Sequence, residues 1–199
     1  MEFMRADELS FDPRSEMSRI FVEGFYMWLK YFSKNKAKLQ KAFEHIFVLP
    51  EFYVAVEGDK VVAIAGLNDD RVGGNRAVQF DLKVLRKHLG FVMGGIAHSV
   101  LKKQFVDKHY PFELGQDASG VDFVATAPEY RGRGINFDLI NYVMRVAGFA
   151  EYVLEVIDTN ASGRRLYDKL GFVEFMRVET KHKEKYAGFK YHIYMRIKV

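Results

Sequence analysis

The stretch that most constrains the fold is residues 121–136, VDFVATAPEYRGRGIN, which combines a strand, a tight turn and a helix start. Its first six residues are mostly apolar and partly β-branched, and Pro128 cannot extend the pairing of a strand. Gly132 and Gly134 then flank an arginine directly before apolar residues begin to recur at helical spacing. The pattern predicts a strand that passes through a tight turn into a helix.

This predicted junction is typical of an anion site. The first amides of a helix have no partner inside it and carry the positive end of its dipole, so a phosphate can bind there. Glycines leave the backbone accessible, and Arg131 and Arg133 add positive charge. Phe137 stands where the dinucleotide fingerprint GxGxxG needs glycine, and the GK[ST] ending of a P-loop is absent. A nucleotide other than NAD or free ATP is therefore favoured.

Length and composition narrow the class of protein. With 199 residues, of which 49% are hydrophobic, the chain is expected to fold as a single domain over residues 1–199. It has no cysteine, which excludes disulfides, thiolate metal sites and a cysteine nucleophile. Its six histidines show no metal-ligand spacing, so no metal site is expected. Neither a signal-type start nor an apolar run of 18 residues is present, which favours a cytoplasmic protein without membrane association.

Hydrophobic spacing predicts an alternation of helices and strands along the chain. The predicted helices are a first one capped by Ser15 or Ser18 and ending near residue 32, then residues 37–47, two within 81–108, 135–147 and 161–170. The predicted strands are residues 52–56, 61–67, 77–80, 121–126, 152–157, 172–180 and 189–199.

A second informative stretch, NASGRRLYDKLGF at residues 160–172, follows the first after one helix and one strand. A strand with xPxYRGxG, a helix, a strand and then NxxxxxLYxKLGF resembles the GNAT family of N-acetyltransferases, which use acetyl-CoA to acetylate amines. The resemblance covers the order of elements over most of the chain and is strongest from Val121 to Phe172.

The resemblance implies the acyl-CoA N-acyltransferase (GNAT) fold, an α/β fold with a mixed, mostly antiparallel sheet of about seven strands. Such a sheet is splayed near its centre and has helices on both faces. Acetyl-CoA, a co-substrate, would enter between the strand around Phe123 and the strand that begins at Tyr152.

The resemblance also implies which residues bind the cofactor. The family's pyrophosphate signature, (Q/R)xxGx(G/A), maps onto Arg131, Gly132, Arg133, Gly134, Ile135 and Asn136. Asn136 departs from the signature, where glycine or alanine is usual. The strand Val124, Ala125 and Thr126 would pair with the pantetheine arm as an added strand. Asn160 would hold the same arm from the other side, and Gly163 stands where alanine is common, at a cost to helix stability alone of about 1 kcal/mol.

For catalysis, Tyr167 matches the family's usual general acid, which meets the departing CoA sulfur. The attacking amine must lose a proton, and Asp122 is the candidate base, because period two places it on the strand face of Val124 and Thr126. Glu23 and Asp117 are competitors. Direct transfer in a ternary complex is favoured, since no cysteine is available for an acetyl-enzyme.

Several alternatives stay open. Asp122 could be a structural carboxylate, and Tyr167 could belong to the core. A protein of this fold could also bind acyl-CoA as a silent sensor or interaction protein. The segment 177–199 has seven lysines or arginines against two glutamates, which would suit RNA, although nucleic acid is not the expected partner. The sequence favours a small-molecule amine acceptor, which it does not identify, and a monomer or homodimer.

Overall fold

A computed structural model of the protein describes residues 1–68, 77–107, 110–180 and 188–199. The strands in these ranges are β1 (Glu2–Arg5), β2 (Phe52–Glu57), β3 (Lys60–Asn68), β4 (Ala118–Thr126), β5 (Glu151–Ile157), β6 (Val173–Glu179) and β7 (Tyr191–Lys198). They form one seven-stranded sheet in the order β1-β2-β3-β4-β5-β7-β6. Every neighbouring pair is antiparallel except β4 and β5, which are parallel.

Helices cover both faces of this sheet. The α-helices in the described ranges are α1 (Arg14–Leu29), α2 (Lys36–Phe43), α3 (Leu82–Leu89), α4 (Phe91–Leu101), α5 (Ile135–Ala147) and α6 (Ala161–Leu170). The buried hydrophobic side chains of α1 to α4 belong to one core, and those of α5 and α6 belong to a second. The predicted mixed sheet with two helical layers is confirmed, and the single-domain assignment stays a prediction.

One predicted strand is wrong, and one strand was missed. Residues 77–80 form no strand, since Val78 makes only an isolated bridge with Phe47. The seventh strand is instead β1, which pairs antiparallel with β2 through Phe3↔Ala55 and its neighbours. Four residues are too few to show a period, so β1 had no sequence signal.

Two helix starts differ in how they are capped. The first helix begins after Pro13 without a side-chain cap, so neither Ser15 nor Ser18 has the predicted role. The Ser18 hydroxyl instead donates to the Gln40 carbonyl oxygen at 2.7 Å, which ties α1 to α2. Asn35, between the first two predicted helices, caps α2 by accepting from the Lys38 amide.

The parallel pairing of β4 and β5 is short, and a fork opens where it ends. It runs from Ala118↔Glu151 to Val121↔Leu154. Beyond that point β4 continues beside β3 to Thr126, while β5 continues beside β7 to Ile157. The sheet is therefore splayed at its centre, as expected.

A β-bulge in β4 bends the strand at the fork. Asp122 pairs with Gly66 and Ala125 pairs with Ile64, so β4 has one more residue than β3 between these pairs. Phe123 has φ +57°, which is the one positive φ of a non-glycine residue in the described ranges. This conformation costs roughly 1–2 kcal/mol.

The side chain of Phe123 is buried and surrounded by aromatic rings that hold the bulge in place. The ring centroids of Phe21, Phe52 and Phe105 lie 5.9, 6.1 and 5.1 Å from that of Phe123. Packing of this kind offsets the backbone strain.

The bulge also overturns the period-two argument for Asp122. Asp122 pairs with Gly66 and Thr126 pairs with Ala63, and these two β3 residues are three positions apart. Three positions along a regular strand place side chains on opposite faces. Asp122 therefore lies on the α1 face, opposite Thr126, because the extra residue reverses the alternation.

Candidate active site

Both sequence motifs line one cavity of about 370 Å³ beside the free edge of β4, between the start of α5 and α6. The predicted cofactor and catalytic residues that line it are Val124, Ala125, Thr126, Arg131, Gly132, Gly134, Ile135, Asn136, Asn160 and Tyr167. Those that do not are Arg133 and Asp122. Sequence reasoning missed six lining residues, which are Gly24, Tyr130, Phe137, Ser162, Gly163 and Leu166.

The inner wall of the cavity is the β4 backbone. Beyond Val121, the edge of β4 that faces β5 has no strand partner in the described part of the chain. Unpaired backbone groups of this kind are a template for an extended ligand. The Thr126 carbonyl oxygen accepts from Arg131 Nε at 3.2 Å, which fastens the turn to the end of the strand.

The turn before α5 presents bare backbone to the cavity. Gly132 and Gly134 have φ +77° and +79°, in the left-handed region that favours glycine. A Cβ built on either residue would meet nothing within 4 Å, so the space above the backbone is open. Gly134 is the N-cap residue of α5, and no side chain caps this helix. The first amides of α5 are thus left to bind a ligand.

The side chains of the two arginines of the turn lie differently with respect to the cavity. Arg131 lines the cavity. Arg133 turns away, since its guanidinium donates to the Glu129 carbonyl oxygen at 3.1 Å and lies 4.8 Å from the Tyr130 ring centroid. The Glu129 carboxylate pairs with Arg19 on α1 at 3.0 Å. The Arg133 side chain therefore does not line the cavity, in contrast to that of Arg131.

Asn136 has an unsatisfied polar atom at the cavity. Its Oδ1 is buried and has no hydrogen-bond partner among the described residues. A buried amide without a partner is costly, whereas a ligand group could satisfy it. The one departure from the family signature thus leaves an unsatisfied amide oxygen on a residue that lines the cavity.

Asn160 both caps α6 and faces the cavity. Its Oδ1 accepts from the Gly163 amide at 2.9 Å and from the Ser162 hydroxyl at 3.1 Å. A Cβ on residue 163 would lie 2.7 Å from Asn160 Nδ2, so glycine makes room for this side chain. The expectation that Gly163 affects helix stability alone is therefore wrong. Because the oxygen caps the helix, the NH₂ group is what Asn160 can offer to a ligand.

Tyr167 belongs to the core and to the cavity at once. It is 9% exposed, packs against Phe172 with ring centroids 6.0 Å apart, and lines the cavity. Burial raises the pKa of the Tyr167 phenol, and the negative charge of Asp122 raises it further. The phenol stays protonated at neutral pH and can donate a hydrogen bond.

The predicted base, Asp122, lies at the vertex of the fork, which is the point where the pairing of β4 with β5 ends. Asn68 Nδ2 donates to Asp122 Oδ2, and Asn68 Oδ1 accepts from the Ala77 amide at 3.1 Å. Of its competitors, Glu23 pairs with Lys36 at 2.6 Å, and neither Glu23 nor Asp117 lines the cavity. Asp122 is thus the one of the three whose charge reaches Tyr167.

A second carboxylate at the vertex, Glu155, was missed. Its neighbours Leu154 and Val156 both belong to the core of α5 and α6, so Glu155 faces the opposite side, as Asp122 does. It follows Leu154, the last residue of β5 that pairs with β4. An acidic residue inside an apolar strand is a signal in the sequence that marks Glu155 as well as Asp122.

Comparison with known proteins assigns the chain to a family. The sequence profile of the Acetyltransferase (GNAT) family matches residues 16–172. The chain belongs to this family. A search among curated proteins found no significant match. The family implies acetyl-CoA-dependent acyl transfer.

Solved structures agree in fold. An N-acetyltransferase from Staphylococcus aureus Mu50 superposes with a TM-score of 0.58 at 16% identity, covering 99% of this chain and 100% of that one. The ribosomal-protein-S18-alanine N-acetyltransferase from Escherichia coli superposes with a TM-score of 0.54 at 14% identity, covering 100% of this chain and 93% of that one. At such identities the likeness concerns the fold alone.

Among the described residues, no group of three or more His, Cys, Asp or Glu side chains could hold a metal ion. No helix in the same ranges is both long enough and apolar enough to cross a membrane.

Proposed function

We propose that this GNAT protein transfers an acetyl group from acetyl-CoA to a primary amine of a small-molecule acceptor, directly within a ternary complex. The observation that carries this proposal is the single cavity lined by both motifs, with the free edge of β4 as its wall. An extended arm that ends in a pyrophosphate matches a free strand edge that leads to an uncapped helix start.

The residues of the cavity have separate binding roles in this proposal. The glycine turn and the first amides of α5 bind the pyrophosphate, with charge from Arg131 and Arg133. Residues 124–126 pair with the pantetheine arm, and Asn160 donates to it from the other side. Asn136 makes a further hydrogen bond, which satisfies its buried oxygen.

Tyr167 acts on the leaving group in this scheme. A thiol has a pKa near 8.5 and an ordinary phenol one near 10, so full proton transfer from phenol to thiolate costs about 2 kcal/mol. Burial raises the pKa of Tyr167 further, which increases that cost. Tyr167 therefore stabilises the developing thiolate by a hydrogen bond before any transfer is complete.

The amine approaches from the face that carries the two vertex carboxylates. Asp122 is the base proposed from the sequence, and Glu155 is the second candidate, since both follow the last β4–β5 pair on the α1 face. The nitrogen's proton becomes acidic as the new N–C bond forms, so a carboxylate is basic enough to take it. A backbone amide of the bulged strand polarises the thioester carbonyl.

The experiment has two stages, binding and turnover. Calorimetry with acetyl-CoA measures binding, and no heat at millimolar ligand would contradict the proposal. Release of CoA is then followed with a thiol reagent over a panel of amines, amino acids, polyamines and aminoglycosides. Because the chain has no cysteine, CoA is the only thiol that the reagent can detect.

The alternative of a silent acyl-CoA sensor predicts tight binding without turnover of any amine in the panel. The RNA alternative is less favoured by the structure, since Arg177 and Lys190 lie 5.3 and 5.1 Å from the Tyr191 ring centroid and pack against a ring that would have to stack on bases. Residues 181–187 of that basic segment lie outside the described ranges. A cytoplasmic location and a monomeric or homodimeric state stay predictions.

A further inference from the structure

The cavity has a positively charged side chain at its edge, beside the start of α5. Phe137, in the first turn of this helix, lines the cavity, and Lys169 Nζ of α6 lies 4.5 Å from the centroid of its ring. Attraction between an ammonium group and an aromatic face keeps the cation close to the ring. The Phe137 ring thus holds a positive charge next to the proposed cofactor site.

Helical spacing places Lys169 on the face of α6 that is turned towards the cavity. Ser162 and Leu166 both line the cavity. Leu166 follows Ser162 by four residues and Lys169 follows Leu166 by three, so the three side chains lie on one face of the helix. Arg165 precedes Lys169 by four residues and lies beside it. Both cationic residues are exposed.

These two cations have no acidic partner in the described part of the chain, where no carboxylate pairs with Lys169 or Arg165. Arg164 differs, since it pairs with Glu174 of β6 at 3.8 Å. Asp168 follows Arg164 by four residues and shares that other face of α6. Like charges four residues apart destabilise a helix, and a bound anion would relieve the repulsion between Arg165 and Lys169.

The binding scheme above leaves one anionic group of the cofactor without a partner. CoA carries a pyrophosphate and, on its ribose, a separate 3′-phosphate. A phosphate monoester carries about two negative charges at neutral pH. Since the ribose is bonded directly to the pyrophosphate, the 3′-phosphate lies only a few bonds from the group that the start of α5 would bind. Phe137 belongs to that same first turn, and Lys169 lies over its ring.

We propose that Lys169 binds the ribose 3′-phosphate of CoA, that Phe137 positions the ammonium group, and that Arg165 adds charge to the same site. This inference rests on the proposed function and extends it to the nucleotide end of the cofactor. The ammonium group donates to phosphate oxygens in a charge-assisted contact. The protein should therefore distinguish acetyl-CoA from 3′-dephospho-acetyl-CoA, which lacks this one phosphate.

Calorimetry with these two forms of the cofactor tests the site without any turnover. The wild type should bind 3′-dephospho-acetyl-CoA roughly tenfold more weakly than acetyl-CoA. Lys169→Gln should bind acetyl-CoA roughly tenfold more weakly than the wild type does, with unchanged affinity for the dephospho form. Arg165→Gln should act in the same direction with a smaller effect, roughly two- to threefold.

Two further variants check that the preference belongs to this site. Arg164→Gln is the matched control on the same helix and should keep the full preference for acetyl-CoA, because the partner of Arg164 is Glu174. Phe137→Leu keeps an apolar side chain but removes the aromatic face, so it should lose part of the preference. Melting temperatures show that each variant is folded.

The results separate failure of this inference from failure of the proposed function. A wild type that binds neither form of the cofactor contradicts the proposed function itself. Equal affinities of the wild type for the two forms contradict the inference and leave the proposed function standing. A preference for acetyl-CoA that persists in full in Lys169→Gln, or that is lost equally in Arg164→Gln, contradicts the assignment of the 3′-phosphate to Lys169.

Discussion

The two walls of the fork, β4 and β5, are built in different ways. β5 keeps regular pairing with β7 along its whole length, from Glu151↔Lys198 to Ile157↔His192. β4 instead has a bulge and a strained residue, Phe123, one position after the vertex residue Asp122. The fork therefore opens because β4 bends away, while β5 stays straight.

This difference separates two kinds of chemistry. The β4 wall offers backbone groups along its free edge, which suit any extended ligand whatever its side groups. The β5 wall offers side chains, with Glu155 held by His192 near the vertex. Binding of the cofactor is thus expected to depend on β4, and proton transfer on side chains that line the fork.

The largest effect is expected at the bulge. Phe123→Ala removes a buried ring and should cost about 3–5 kcal/mol in the free energy of unfolding, measured with denaturant. Phe47→Ala, which removes another buried ring of the same core, should cost a similar amount. Only Phe123→Ala should also weaken acetyl-CoA binding, because Phe123 belongs to the bulge of β4 itself, whereas Phe47 lies outside this strand. Equal affinity of the two variants for acetyl-CoA would contradict the claim that cofactor binding depends on the bend of β4.

The next effect concerns Tyr167, which lies between the walls. Tyr167→Phe should lower kcat about 100-fold and change acetyl-CoA affinity little, since the hydroxyl acts in the transition state. Tyr142→Phe on α5, whose ring packs against Phe3 and Tyr53, is the control and should keep full activity. Unchanged kcat in Tyr167→Phe would contradict the role of this hydroxyl in the transition state.

The pH dependence of the wild type follows from the same residue. The raised pKa of Tyr167 means that the phenol keeps its proton to higher pH than usual. Alkaline loss of rate through this group should therefore begin only above pH about 10, as read from a kcat profile. An alkaline limb near pH 8 that disappears in Tyr167→Phe would contradict this assignment.

A smaller effect is expected at the turn that ends the β4 wall. Gly134→Ala should weaken acetyl-CoA binding roughly tenfold, because a Cβ occupies the open space above the helix start. Gly148→Ala is a matched control at the other end of α5, with φ +70° and equally open surroundings. Both variants should lose about 1 kcal/mol of stability from backbone strain. Equal calorimetric affinities for the two would show that the turn is not the pyrophosphate site.

The smallest effect is expected at Gly163. Gly163→Ala gains up to about 1 kcal/mol in helix propensity but forces Asn160 to move. Affinity for acetyl-CoA should fall only a few-fold, with little change in melting temperature. Gly95→Ala on α4, where a Cβ would make ordinary contacts with Arg86, should raise stability without affecting affinity. A Gly163→Ala variant that binds more tightly than wild type would refute the proposed role of Asn160.

The sequence predicted the features that depend on local residue types. Glycines at 132 and 134 determine the turn, and the apolar spacing of α5 places this helix against the sheet. These features are determined within a few residues, and ten of the residues named from the sequence line the cavity. Their binding of acetyl-CoA stays a prediction.

Features that depend on distant contacts were missed. The bulge at Phe123 is stabilised by rings from α1, β2 and the segment after α4, and no local pattern marks it. The error about the face of Asp122 followed directly from that bulge. The pairing of Glu155 with His192 depends on the register of β5 and β7, which are separated by a helix and another strand.

The proposed acetyl-CoA site is tested most directly by hydrogen–deuterium exchange of the backbone amides with and without acetyl-CoA. Acetyl-CoA should slow exchange in residues 122–126 of β4 and in residues 132–137 of the turn and α5, while β5 amides that already pair with β7 should change little. Unchanged exchange in β4 and the turn, with protection elsewhere on the protein, would contradict the proposed site.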